Sequence, residues 1–314
     1  MPSTFDLAPF EQYFESRGPY FDSANLALDG SVFVRTLLQR ATDLEFLRGY
    51  AAACPVAGAE PGHYALQHVT LDTACSVLAA IHFRRLSLDF PFVDVSAQSA
   101  PLPRRLPLTR LVAPFLRFRP RAVRIWRAET DSSPSDAEDD LLVLAAPIRL
   151  LLATPPLPNL PRIRLEPDPS LASYADYRCV YDALHSVAPE TAELVSPEEQ
   201  SSLAKCADYG AFFRVLVDGA LAGFIAARPE SYRCWRGWHV VEEVLHPDFR
   251  RQGLAPAMQQ AFLRTLDSGR ETCVFGTIAA SNVPSLRTAL RVGRRIVEVG
   301  TFIHLDRNTT IRDS

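Results

Sequence analysis

The amino-acid sequence predicts an α/β (α+β) protein, and three observations lead to this fold class. Segments that alternate apolar and polar residues, as strands do, are interspersed with segments that carry apolar residues at helical spacing. A run with four prolines in ten residues, at 153–162, can neither continue a helix nor join a central strand. The parts before and after this run show a similar order of elements. We therefore expect two domains, 1–152 and 163–314, joined by a Pro-rich linker at 153–162.

The N-terminal half is expected to contain a helix, three strands, a second helix and two further strands, in that order. The helices are expected at 32–53 and 106–118, and the strands at 64–71, 75–84, 90–95, 122–127 and 141–151.

The C-terminal half gives clearer signals. A short strand at 163–166 precedes two segments of helical spacing, 170–187 and 197–206, and Ser196 is a candidate N-cap of the second. Asp218-Gly219 suits a two-residue hairpin turn, because that turn needs positive φ. The hairpin is followed by strand, helix, strand, helix and strand. These elements, from the hairpin onward, are expected at 212–217, 221–227, 238–245, 252–266, 272–278, 284–292 and 296–305.

Apart from the last helix, the two halves have the same order of elements. We interpret the N-terminal half as a degenerate copy that arose by tandem duplication. An unrelated α+β domain is the alternative.

Composition and charge narrow the function classes. No stretch reaches the roughly 18 uncharged apolar residues that span a bilayer, and the first residues lack the basic segment and apolar core of a secretory signal. We expect a cytoplasmic protein with no membrane partner. A net charge of −3 argues against a nucleic-acid partner. The six cysteines are scattered without metal-ligand spacing, so we expect no metal site.

The most informative segment is a basic turn between a predicted strand and a predicted helix. Arg250 and Arg251 bring two guanidinium groups to the helix start, where unpaired backbone N–H groups and the helix dipole favour negative charge. Gly253 lets the backbone approach an anion closely, and the small Ala255 does not obstruct it. The sequence therefore predicts a pyrophosphate-binding turn. Its residues are Arg250, Arg251, Gln252, Gly253, Leu254 and Ala255.

A second motif lies downstream of the turn. Residues 282–293 read Asn-Val-Pro-Ser-Leu-Arg-Thr-Ala-Leu-Arg-Val-Gly, and Asn282 and Ser285 suit the start of a helix. Together with the Arg-x-x-Gly-x-Ala turn, this motif resembles the signatures of the GCN5-related N-acetyltransferases (GNAT), over about residues 161–306. The resemblance implies a mixed, mostly antiparallel sheet flanked by helices, in two GNAT-like domains in tandem.

The resemblance also implies a cofactor and its contacts. We expect acetyl-CoA, or another acyl-CoA, with its pyrophosphate on the basic turn. Asn282 and Ser285 are expected near the pantetheine and phosphate arm, and Leu245 is the expected backbone N–H donor to the thioester oxygen. The corresponding stretch of the N-terminal half, 96–105, contains two prolines and no glycine. We expect that half to bind no coenzyme A, because proline lacks the N–H that an anion needs.

The candidate general base lies on the predicted strand 238–245. Neighbouring side chains of a strand point to opposite faces, so Glu242 and Glu243 must face different sides of the sheet. A carboxylate inside a helix-covered sheet is a candidate functional group, because an unpartnered charge is costly there. We favour Glu243, then His239, which has the same parity, and then Glu242. Structural pairing with an arginine is the alternative for either glutamate.

The family resemblance has one exception at a catalytic position. Ala289 stands where many members carry a tyrosine that protonates the leaving thiolate. The leading prediction is an acyl-CoA-dependent N-acyltransferase that transfers acetyl to an amine of a small molecule or peptide, by direct attack in a ternary complex. The alternative is a non-catalytic acyl-CoA-binding sensor or assembly module. A homodimer is compatible with both.

Overall fold

Helices and strands form close to the predicted positions. The computed structural model describes residues 6–16, 30–131, 137–193, 195–233, 235–266 and 273–305. Contacts divide these residues into two units. Unit 1 holds the described residues up to Asp140 and those from Glu298 onward, and unit 2 holds those from Leu141 to Val297.

Unit 1 is a sheet of antiparallel strands with one parallel pair. Its strands are β1 (Gln67–Thr70), β2 (Ser76–Phe83), β3 (Pro91–Gln98), β4 (Ala122–Arg127) and most of β11 (Arg295–His304), and its helices are α1 (Ala8–Ser16), α2 (Gly30–Thr42), α3 (Leu44–Ala53) and α4 (Leu108–Val112). The strand order is β1-β2-β3-β4-β11, and only β3 and β4 are parallel. Leu47 of α3 and Leu111 of α4 pack with the apolar side chains of β2 and β3 in one core.

Unit 2 has six strands. They are β5 (Ala137–Pro147, from Leu141 onward), β6 (Ile163–Pro167), β7 (Phe212–Val217), β8 (Ala220–Tyr232), β9 (Trp235–Leu245) and β10 (Cys273–Ala279). The helices are α5 (Ile148–Leu152), α6 (Tyr174–Val187), α7 (Gln200–Asp208), α8 (Leu254–Leu263) and α9 (Val283–Val292). The strand order is β5-β10-β9-β8-β7-β6, and only β9 and β10 are parallel.

Both faces of the unit 2 sheet are covered, which explains why its strands are apolar on both sides. On one face Met258 and Phe262 of α8 pack against β7 and β8. On the other face Tyr177 of α6 and Leu203 of α7 pack with Phe224. The hairpin turn has the predicted form, with Asp218 at φ 51° and Gly219 at φ 88°. Strand β9 therefore lies in the interior of a helix-covered sheet, and its polar side chains need partners.

The strands of the two units share one pairing pattern, which confirms the predicted tandem arrangement. Along β1-β2-β3-β4-β11 the successive pairs are antiparallel, antiparallel, parallel and antiparallel. The same sequence of pairs runs along β7-β8-β9-β10-β5. In each unit a helix, α4 or α8, connects the parallel pair. The mixed, mostly antiparallel sheet flanked by helices is likewise confirmed.

The last strand of each repeat belongs to the sheet of the other, which the sequence did not predict. Strand β5 follows β4 in the chain, yet its residues 141–147 pair with β10. Strand β11 follows β10 and α9, yet its residues 299–304 pair with β4. The units are thus bounded at 140/141 and 297/298. The predicted division into domains 1–152 and 163–314, joined by a linker at 153–162, stays a prediction.

Some predicted element ends are wrong, for identifiable reasons. The helix expected at 32–53 is two helices, because Asp43 accepts hydrogen bonds from the backbone N–H groups of Glu45 and Phe46 and starts α3. Ser196 is not the N-cap of α7, which begins after Glu199 without a side-chain cap. Residue 272, the expected start of β10, lies outside the described residues.

Candidate active site

The site lies where two parallel strands of unit 2 separate. Strands β9 and β10 pair only at Trp238–Val274 and His239–Phe275. Beyond this point β10 continues to pair with β5 as far as Ala279. Residues 240–243 of β9 and 276–279 of β10 line a cavity of about 280 Å³, here called the small cavity. The opening is therefore a consequence of the short β9–β10 ladder.

A β-bulge in β9 decides which side chains reach this opening. Glu242 lies opposite Ala226 and Val240 opposite Ala227, so that Val241 is an extra residue in β9. Val240 packs with the α8 core and Val241 with the α6 core. The bulge shifts the alternation by one residue, so His239 does not share the face of Glu243. The predicted parity of these two residues is wrong for this reason.

Glu243 belongs to a chain of hydrogen bonds on the α8 side of the sheet. The Nε2 atom of Gln259 donates to its carboxylate, and Nη2 of Arg294 donates to Oε1 of Gln259 over 3.0 Å. Gln259 is 4% exposed and Arg294 also 4%. Burial raises the pKa of Glu243 to about 7, while the charge of Arg294 and the bond from Gln259 act in the opposite direction. Glu243 is thus a buried carboxyl that titrates near neutral pH.

Glu242 lies on the opposite face of the sheet, and its carboxylate accepts more hydrogen bonds than that of Glu243. The hydroxyls of Tyr177 and Tyr181 and the backbone N–H of Glu243 all donate to its carboxylate. It is 5% exposed, and burial raises its pKa to about 7 as well. Burial and the neighbouring carboxylate also raise the pKa of Tyr181. Three donors make Glu242 a structural acceptor between α6 and β9, although it lines the small cavity too.

His239 does not line the small cavity. Its Nδ1 atom is 2.8 Å from Oε2 of Glu230, and its ring stacks on Phe275 at 5.0 Å between centroids. Its contacts are thus with a carboxylate and an aromatic ring. The structure does not bring it together with Glu243.

A larger cavity of about 720 Å³ adjoins the basic turn. The turn residues that line it are Arg250, Arg251, Gly253, Leu254 and Ala255, and Leu245 and Ser285 line it as well. This groove is large enough for an extended ligand. Gln252 takes another role, since its Nε2 donates to the carbonyl of Asp248 over 2.7 Å.

The backbone of the turn has the conformation that an anion site requires. Arg251 has φ 61° and Gly253, the residue before α8, has φ 71°. The left-handed conformation is natural for glycine and aims successive N–H groups at one side. Burial lowers the pKa of Arg250 because it disfavours the charged form, and repulsion from the positive charge of Arg251 lowers it further. A bound pyrophosphate would relieve this repulsion, so the residues fit the group.

The segment 153–162 is anchored on this turn and its helix. Nδ2 of Asn159 donates to the carbonyl of Gln252 over 2.8 Å. The backbone N–H of Leu157 donates to Oε1 of Gln260 over 2.8 Å, and Nε2 of Gln260 donates to the carbonyl of Pro155 over 2.9 Å. The predicted linker therefore helps to fix the position of α8.

The second motif lies beside both cavities. Asn282 accepts a hydrogen bond from the backbone N–H of Ser285 over 3.3 Å and so caps α9, and it also lines the small cavity. Ser285 lines both cavities, as Glu243 does. Ala289 is fully buried. The structure thus brings Glu243 together with Ser285 at the junction of the two cavities.

Sequence reasoning missed several residues that hold the site. They are Asn159, Tyr177, Tyr181, Gln259 and Arg294. Gln259 carried a usable signal, because an amide in an otherwise apolar helix must find a polar partner. For the others no local pattern marks the contact, which is made over long sequence distances.

The comparisons with known proteins agree with the geometry. The model of the acetyltransferase (GNAT) family matches residues 179–293 of the chain. A family of this kind generally uses acetyl-CoA or another acyl-CoA. No curated protein matches the chain.

Solved structures with low identity resemble the chain over most of its length. A GCN5-related N-acetyltransferase from Sphaerobacter thermophilus is 15% identical over 86% of this chain and 90% of its own, with a TM-score of 0.47. One from Kribbella flavida is 12% identical over 90% and 97%, with a TM-score of 0.44. A tandem GNAT protein from the clavulanic acid biosynthesis pathway is 13% identical over 83% and 95%, with a TM-score of 0.42. Within the described residues, every helix is too short or too polar to cross a bilayer.

Proposed function

We propose that the protein is an acyl-CoA-dependent N-acyltransferase that transfers acetyl from acetyl-CoA to an amine. One observation carries this proposal: Glu243, a carboxyl with a pKa of about 7, lines both the groove at the basic turn and the small cavity. The groove suits coenzyme A, and the small cavity suits the acyl group and its acceptor. A base at their junction is where an amine would lose its proton.

The cofactor would be held by the residues that line the larger cavity. The backbone N–H groups of the turn and the guanidinium groups of Arg250 and Arg251 would bind the pyrophosphate. Leu245 and Ser285, which line the same cavity, would lie along the pantetheine arm. Asn282 and Ser285 at the start of α9 would bound this arm beside the small cavity.

The reaction would proceed by direct attack in a ternary complex. The amine nitrogen forms a bond to the thioester carbonyl carbon, the carbon–sulfur bond breaks, and coenzyme A leaves as the thiolate. Glu243 accepts the proton that the amine nitrogen loses as this bond forms, and an amine that arrives as an ammonium ion first gives one proton to water. Ala289 offers no hydroxyl, so the thiolate leaves without an acid at that position. Near neutral pH a thiolate of ordinary pKa is an adequate leaving group.

A thiol-release assay tests this function against that of a sensor. Thiol release from acetyl-CoA is measured with a panel of small primary amines and short peptides, and acetyl-CoA affinity is measured in parallel by calorimetry. We expect release that depends on the amine. Tight binding of acetyl-CoA with no release for any amine would instead identify a non-catalytic acyl-CoA-binding module.

A further inference from the structure

The small cavity has an acidic wall. Three glutamates line it, Glu198, Glu242 and Glu243, and Arg294 is the single basic residue among the described residues that do so. The backbone of Glu198 is fixed, because its N–H donates to the hydroxyl of Tyr177 over 2.6 Å and its carbonyl accepts from Tyr174 over 3.3 Å. The acidic lining is therefore a defined part of the cavity.

One residue that lines this cavity, Arg294, has a buried donor without a partner in the described part of the chain. Arg294 is 4% exposed, and its Nε has no hydrogen-bond partner among the described residues. Gly276 makes room for the guanidinium, since a Cβ there would lie 3.2 Å from Nη1 of Arg294. Buried donors are nearly always satisfied, so this N–H is positioned for an oxygen that a ligand supplies. The carbonyl oxygen of an acyl group would serve.

We propose that the acceptor is a small primary amine that enters as a cation and carries no carboxylate or phosphate. This inference rests on the proposed acyl transfer. An ammonium group is favoured beside Glu198 and Glu242, whereas an anionic group would be repelled by the same carboxylates. A volume of about 280 Å³ accommodates a small molecule and not a folded protein segment.

Matched pairs of acceptors test the substrate class. Thiol release from acetyl-CoA is measured for three pairs of compounds: tyramine and tyrosine, agmatine and arginine, and ethanolamine and serine. The members of each pair differ by one carboxylate. We expect kcat/KM to be at least about tenfold higher for the member of each pair that lacks the carboxylate, because the carboxylate of the other member is repelled, and tenfold corresponds to about 1.4 kcal/mol. Equal or higher values for the amino acids would overturn the acceptor class while leaving the acyltransferase in place. If neither these compounds nor any other amine causes thiol release, the proposed function itself is overturned.

A charge-neutral variant tests the acidic wall directly. Glu198→Gln keeps the shape of the side chain and the backbone contacts, and Glu198 has no part in the proposed chemistry. We expect the preference for tyramine over tyrosine to fall about tenfold or more, with acetyl-CoA affinity unchanged. Glu199→Gln is the matched control, because the neighbouring Glu199 is exposed and does not line the small cavity. An unchanged preference in Glu198→Gln would contradict the role of this wall.

Discussion

At the scale of single residues, two adjacent glutamates with similarly raised pKa values have different surroundings. Glu242 accepts three hydrogen bonds, whereas Glu243 accepts from Gln259 and lines both cavities. This contrast supports Glu243 as the base and Glu242 as a structural acceptor. His239 is bonded to Glu230 and lines neither cavity.

Replacement of the base should lower turnover without weakening cofactor binding. We expect Glu243→Gln to reduce kcat about 10²- to 10⁴-fold, with acetyl-CoA affinity within about twofold of wild type. In the wild-type protein kcat/KM should rise with pH through about 7, because the carboxyl must lose its proton before it can act as a base. Steady-state kinetics from pH 5.5 to 9 check both statements. His239→Asn is the control, and a larger loss in that variant than in Glu243→Gln would reassign the base.

Arg294 should act on Glu243 through Gln259 and through its charge. Arg294→Met removes a cation that holds the pKa of Glu243 down, and it frees Gln259 to rotate. We therefore expect the acidic limb of the pH–rate profile to move to higher pH. A merely structural role would lower the rate at every pH and leave the limb in place. Arg295→Met, at an exposed neighbouring position, is the control and should leave the profile unchanged.

At the scale of elements, the turn before α8 is the least tolerant part of the site. Gly253 has φ 71° and lines the larger cavity. Gly253→Glu adds a side chain at an unfavourable φ and a negative charge beside the pyrophosphate site, so we expect acetyl-CoA binding to be lost. Gly253→Ala separates the two effects, since it adds the backbone strain alone. Retained affinity in Gly253→Glu, measured by calorimetry, would rule out the turn as the pyrophosphate site.

The segment 153–162 does not line the larger cavity, but it should influence cofactor affinity because it is bonded to the turn. Asn159 holds the carbonyl of Gln252 over 2.8 Å. The variant Asn159→Ala loses this one hydrogen bond, which contributes about 1 kcal/mol to the stability of the turn. If this free energy is lost from binding, the acetyl-CoA affinity becomes roughly fivefold weaker. Pro158→Ala, which changes the same segment without touching this bond, should bind acetyl-CoA as the wild type does. Equal affinities in both variants would make the anchor irrelevant to binding.

The elements and the basic turn could be predicted from sequence, because their signals are local. The turn chemistry of Asp218-Gly219 and the apolar spacing of α8 each act within a few residues. The bulge at Val241 could not be predicted, since it depends on register against β8, and it reversed the expected parity of His239. The chain of hydrogen bonds from Arg294 through Gln259 to Glu243 was also missed, because these residues are far apart in sequence.

At the scale of the whole molecule, each repeat gives up its final strand to the other repeat's sheet. Residues 141–147 pair with β10, and residues 299–304 pair with β4. Neither repeat therefore carries a complete sheet in one continuous segment. On the side away from β9, strand β10 is bordered by β5, a strand from the first half of the chain. The Pro-rich segment follows that strand and reaches the basic turn within unit 2.

Engineered cysteine pairs should report the exchange in solution. Ala122 and His304 are directly opposed in the β4–β11 ladder, as Leu142 and Ile278 are in the β5–β10 ladder. Directly opposed residues of neighbouring strands approach closely enough for a disulfide, so we expect each double-cysteine variant to cross-link under mild oxidation. Ile278→Cys with Val299→Cys joins strands that would be adjacent only if the exchange did not occur, because Val299 lies opposite Arg127, the residue of β4 that corresponds to Ile278 of β10. Mass spectrometry of peptides from the oxidised protein identifies the bonds, and efficient cross-linking of this third pair in place of the first two would show that each repeat keeps its own last strand.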